Sequence, residues 1–137
     1  MTIMGDTLKF SLENAKLDKR LIFNIPAGYT CPRAGVCRTF ANKDTGEITD
    51  NPTGCSDSPK YRCYAAMAEA RHPSVRKARW HNQYLIRQVR DTAEDTTKSY
   101  IDIANLISKS MDAYPHRDLI RIHESGDFWF EFYMKAW

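Results

Sequence analysis

All four cysteines of this chain fall between positions 31 and 63 of its 137 residues. Cys31 and Cys37 bracket Pro32 and Gly35 in "TCPRAGVC", a stretch that has to bend. Cys55 lies in the irregular "NPTGCSDSPK" and Cys63 in "YRCYAAM". Thiols that only fill space sit among apolar residues, whereas Cys31, Cys37 and Cys55 neighbour Pro, Gly, Thr and Ser. Disulfides need an oxidising compartment, and the opening "MTIMGDTLKFSLENAKLDKR" has no apolar segment of the secretory kind. Ligation of a metal ion or cluster is therefore the favoured reading.

Zinc prefers closely spaced C-x2–4-C pairs. The spacing from Cys31 to Cys37 is looser, and His72 and His81 stand beside a helix start. A [4Fe-4S] cluster is larger than one ion and accepts irregular spacing when a loop wraps around it. Cys63 opens a helical stretch, where the positive end of the helix favours a negatively charged ligand. The candidate ligands are Cys31, Cys37 and Cys63, with Cys55 as the fourth. Four thiolates would close a cluster suited to electron transfer or structure; three would leave one iron open to a substrate or cofactor. Zinc stays as the alternative.

Neither size nor composition demands a staple. A chain of 137 residues with 42% hydrophobic and 27% charged residues can build a core unaided. No apolar run approaches the ~20 residues that cross a bilayer, so no membrane partner is expected. A net charge of +3 points to nucleic acid only if it is clustered.

"RLIFNIP" reads as a short strand closed by Pro26, and "NKDTGE" as a tight turn between two more. Helical pattern takes over in "YRCYAAMAEARH", which stops at Pro73, and in "SVRKARWHNQYLIRQVR". It continues in "AEDTTKSYIDIANLISKSMDAY", where Tyr100, Ile103, Ala104, Ile107 and Met111 share a spacing. "DLIRIHES" is a strand ending in the polar "HESGD", and a helix restarts from Phe128. The expected fold is one α/β domain of short parallel strands with crossover helices, part of a barrel in outline, with a long irregular cysteine-bearing loop. Its parts are an N-terminal extension (1–19), strand and cysteine loop (20–63), helices (64–114), and strand, polar loop and terminal helix (117–137). Ligands of such folds sit off the carboxyl ends of the strands, so Cys31 and Cys37 should meet residues 123–127 on one face.

There His123 is the candidate acid–base, and Glu124 and Asp127 are the candidate carboxylates. Ser125 and Gly126 are candidate cofactor contacts. The plainer account is that Ser125 and Asp127 turn the chain and cap the next helix, with His123 a satisfied, partly buried ring. Arg71, Arg76, Lys77, Arg79, Arg87 and Arg90 beside Trp80 and Tyr84 would suit phosphates, although most such runs are solvated helix faces. The aromatic tail "FWFEFYMKAW" packs on the core or forms an interface, which makes a homo-oligomer a reasonable partner. It breaks off without a terminating signal, as a fragment or one part of an assembly would.

Three blocks, "FNIPAGYTCPRAGVC", "YRCYAAMAEARHPSVRKARWHN" and "IRIHESGDFWFEFYMKAW", resemble the bacteriophage proteins named gene product eighty-eight. The resemblance covers roughly Leu21 to Trp137 and implies a phage protein working in the host cytoplasm. A more distant similarity is to the start of radical S-adenosylmethionine enzymes, in which three cysteines hold a [4Fe-4S] cluster with one open iron. It implies Cys31, Cys37 and Cys63 as ligands, with Glu124, Gly126 and Asp127 receiving S-adenosylmethionine. The usual C-x3-C-x2-C run of those enzymes is absent here.

Overall fold

A computed structural model describes residues 6–12, 20–31, 39–49, 63–115 and 119–137. In chain order the elements are β1 (Phe10–Ser11), β2 (Leu21–Phe23), β3 (Phe40–Ala41), β4 (Ile48–Thr49), α1 (Tyr64–Arg71), α2 (Pro73–Thr92), α3 (Thr96–Met111), β5 (Ile120–Ile122) and α4 (Glu131–Ala136). The fold is mixed α/β.

The apolar run from Leu21 to Phe23 makes β2 the central strand, buried on both faces. It pairs in parallel with β5, Leu21 against Ile120 and Phe23 against Ile122. On its other edge it pairs antiparallel with β1, Phe10 against Phe23. The sheet is therefore mixed and three-stranded, and among the described residues it does not close into a barrel. The stretch set aside as an N-terminal extension supplies β1, and it is stapled down elsewhere too. Leu8 N–H donates to Ser110 Oγ (2.8 Å), and Lys9 N–H to Asn82 Oδ1 (2.7 Å).

The "NKDTGE" turn does join two strands. β3 and β4 form an antiparallel hairpin in which Asn42 Oδ1 accepts from Asp44 N–H and Thr45 N–H. Pro73 separates α1 from α2 and occupies the first position of α2, where its missing N–H costs nothing. Asp95 caps α3 by accepting from Lys98 N–H at 2.7 Å. Phe23, Ile25, Leu85, Ile86, Ile103 and Tyr133 form the main core between sheet and helices. Each such side chain contributes about 1.5–3 kcal/mol on burial.

The α3 stripe keeps Ile103 and Ile107 of its expected face but is shifted around them. In α3 the buried side is Ser99, Ile103, Leu106, Ile107 and Ser110, and Tyr100 lies exposed. In α2 Leu85 is buried while Tyr84 is exposed. The terminal helix begins at Glu131, three residues later than the pattern suggested. Its aromatic residues pack inward: Tyr133 is fully buried, and Trp129, Phe130 and Trp137 lie against the same core.

Candidate metal-binding site at the strand ends

Past Phe23 and Ile122 the two parallel strands stop laddering, but their continuations stay stitched together. His123 N–H donates to Phe23 O (2.9 Å) and Ile25 N–H to Ser125 O (3.3 Å). Ser125 N–H donates to Asn24 Oδ1 (2.7 Å), and the Ser125 hydroxyl to Ile25 O (3.0 Å). The chain then turns through Ala27–Thr30. Thr30 Oγ1 donates to Pro26 O (2.6 Å) and Cys31 N–H to Gly28 O (3.2 Å). Gly126 lies directly under this turn with φ +81. A Cβ there would meet Ile25 Cγ1 at 2.5 Å and Thr30 Oγ1 at 2.6 Å, so only glycine allows the polar loop and the cysteine turn to lie this close.

Cys63 reaches the same end from the other side, as the residue that caps α1. Its N–H donates to Thr39 Oγ1 (3.4 Å), and the neighbouring Tyr64 hydroxyl donates to Glu124 O (2.8 Å). Cys31 and Cys63 are both half-buried free thiols. Burial pushes the Cys31 thiol up from its ordinary range. A backbone hydrogen bond at Gly28 partly offsets this, and Asp127, Cys63 and Glu69 add to the rise. Cys31 thus lies within electrostatic reach of Cys63, 32 positions further along the chain, and of Asp127 on the loop after β5.

Cys31, Cys63, Glu124, Ser125, Gly126 and Asp127 consequently share one end of the sheet. Cys37 and Cys55 lie outside the described residues. Among the described residues no three His, Cys, Asp or Glu side chains converge closely enough to hold a metal ion, so the two described thiols are half of the expected set. His123 belongs to a different arrangement. Its φ of +66 turns it at the strand end, and its ring packs edge-on against Phe23, Phe128 and Tyr133. Ser125 O can only accept, so the proton sits on Nδ1 (3.4 Å) and Nε2 takes the Tyr133 hydroxyl (2.9 Å). Burial lowers the His123 pKa and raises that of Tyr133. One ring nitrogen is thus spent on the polar loop and the other on α4.

The site also contains a residue that sequence reasoning missed. Glu69 on α1 is fully buried. Its Oε2 accepts from Ala27 N–H (3.0 Å) and Arg79 Nη1 (2.9 Å) and takes the longer arm (3.4 Å) of the Ser125 O–H that it shares with Ile25 O, while among the described residues its buried Oε1 has no partner. One oxygen thus ties the cysteine turn, the polar loop, α1 and α2 together. Burial raises the Glu69 pKa against the opposing pull of the Ala27 N–H and Arg79. In "AAMAEARH" an isolated Glu reads as a solvated position, and no local pattern marks it otherwise.

Two members of the basic run, Arg76 and Arg79, are buried, while Arg71, Lys77 and Arg87 are exposed. Arg76 donates to Lys43 O, Glu69 O and Ala70 O, closing the end of α1 onto the hairpin turn. Arg79 pairs with Glu69, and Arg87 and Arg90 reach Asp91. Arg90 also lies over the Trp129 ring at 4.8 Å.

A family model described as gene product 88 matches residues 5–137. The chain belongs to the gene product 88 family, a family of phage gene products. The gene product 88 match starts before β1, so it takes in the N-terminal staple that the three sequence blocks left out. No curated protein and no solved structure matches the chain.

Proposed function

We propose that this protein binds a [4Fe-4S] cluster through Cys31, Cys37, Cys55 and Cys63 and acts as a redox or cluster-binding module. The observation that carries the reading is that Cys31 and Cys63 come from separate stretches yet lie, as free thiols, within electrostatic reach of each other near the ends of β2 and β5. Soft thiolate donors suit iron–sulfur chemistry. Gly28, at φ +78, lets the Cys31 turn pack within 2.7 Å of Thr39 O as measured from an added Cβ, which holds that sulfur on a compact, preformed arm. Because burial favours the protonated Cys31 thiol, metal binding there has to release a proton and strengthens as pH rises.

A second reading is a radical S-adenosylmethionine-like enzyme, with Cys31, Cys37 and Cys63 as ligands and one iron open. It is favoured by Asp127, an exposed carboxylate within electrostatic reach of Cys31 and suited to an ammonium group, with Glu124 and Gly126 beside it. The experiment is anaerobic purification followed by iron, sulfide and zinc analysis. Brown protein holding about four irons and four sulfides per chain supports the cluster. Colourless protein with stoichiometric zinc overturns it in favour of a zinc-stabilised domain. Cys55→Ala then separates the two cluster readings: loss of iron supports four ligands, and full retention supports three.

A further inference from the structure

On the opposite side of β2 from the Phe23 core lies a cavity of about 340 Å3, bounded by β1, β2, α1 and the start of α2. Pockets for small molecules run from about 300 to 1,000 Å3, so it holds a compact ligand. Its apolar walls are Phe10, Ile22, Ala68, Val75 and Ala78, and its charged lining residues are Lys9, Arg79 and Glu124.

Arg79 is the informative one. It is 8% exposed, and both its hydrogen bonds, to Ala65 O and Glu69 Oε2 at 2.9 Å each, leave through Nη1. Among the described residues nothing takes Nε or Nη2, the two donors on the same edge of the guanidinium. That edge is the fork that receives a carboxylate with two parallel hydrogen bonds. The charge itself is met by Glu69, and the fork, on a residue that lines the cavity, is left for a ligand that accepts from both donors. The start of α2 adds to this. His72 precedes the helix without a side-chain cap bond, and Ser74 and Val75, whose N–H groups belong to the uncapped first turn, line the same cavity.

We propose that this cavity binds a small monocarboxylate, its carboxylate on the Nε–Nη2 edge of Arg79 and its apolar body over Ile22 and Ala78. Lys9 and Arg79 supply two positive charges, and Glu124 on the wall with Glu69 behind Arg79 supplies two negative ones. With no net positive charge to offer, the site disfavours a dianion such as phosphate, and a single carboxylate is what one Arg79 fork can hold. The apolar walls favour a hydrocarbon body over a bare ion. Neither described cysteine, Cys31 or Cys63, is among the residues that line the cavity, so the proposal does not rest on the cluster reading.

The test is saturation-transfer NMR on the full chain with hexanoate as probe, hexanamide as its uncharged counterpart and inorganic phosphate as competitor. Hexanoate should show saturation transfer that phosphate does not displace, and hexanamide should show none. Ala78→Leu, which fills the cavity while keeping a good helix former, should abolish the hexanoate signal. Arg79→Lys keeps a cation beside Glu69 but lacks the fork, and should weaken binding at least ten-fold. Lys9→Gln, at an exposed position, should weaken it several-fold. Absence of hexanoate binding, equal binding of hexanamide, or an undiminished signal in both Ala78→Leu and Arg79→Lys would each overturn the proposal.

Discussion

Glu69→Ala is the perturbation that separates a structural hub from a bystander. The substitution strands the Arg79 guanidinium, whose side chain is 10% exposed. Removing one partner of a buried pair costs about 3–5 kcal/mol. It also leaves the Ala27 N–H, on a residue 1% exposed, without its acceptor, and a buried donor left unmet costs about 1–3 kcal/mol. The two penalties share one carboxylate and do not simply add. A loss of about 4 kcal/mol is expected, a large part of the roughly 5–15 kcal/mol that holds a domain together. Urea unfolding followed by circular dichroism, at constant slope, measures it. Glu69→Leu combined with Arg79→Met should recover much of the loss, because exchanging a buried pair for apolar groups is often close to neutral. If Glu69→Ala shifts stability by less than about 1 kcal/mol, one oxygen does not tie the cysteine turn to the polar loop and the reasoning fails.

Gly126→Ala should cost about 2–4 kcal/mol, from the positive φ and the overlap with Ile25 and Thr30, and an unchanged urea midpoint would refute the close approach. His123 has its folded pKa lowered below 6.5 by burial. Its contribution to stability is therefore full above pH 6.5 and lost as pH falls through the lower folded value; His123→Gln should flatten the acid side of a stability-versus-pH profile. Glu69 runs the opposite way. Its pKa is raised from 4.5, so its contribution is full below pH 4.5 and lost as pH rises through the folded value, and wild type minus Glu69→Gln should slope downward with pH. Cys31→Ala and Cys63→Ala should each abolish metal content and lower the melting temperature of the metal-loaded protein; metal analysis with thermal unfolding checks both.

What could be read from the sequence follows the range of the forces involved. β2, β5 and the β3–β4 hairpin announce themselves through apolar runs and turn residues, because strand and turn preferences act over a few positions. The Asp95 cap and the Pro73 break are just as local. β1 is two residues long and exists only because the β2 edge is there to receive it, so nothing in "KFSL" marks it. Glu69 and Arg79 look like surface charges for the same reason: their burial depends on Ala27 and Ser125, some forty to sixty positions away. The expected meeting of the β2 and β5 ends did not require such detail. It followed from chain order alone, since parallel strands send their following loops to the same side.

That parallel pairing imposes a timetable. The floor beneath the cysteine turn is made from Ser125 and Gly126, about a hundred positions downstream, and Leu8 waits for Ser110. A ribosome releases the chain from its first residue onward, so the sulfur-bearing arm emerges long before the residues that shape it. The Cys31 turn would lack its support until residue 126 is free of the exit tunnel, so a cluster of the kind proposed would find its receptive geometry only then.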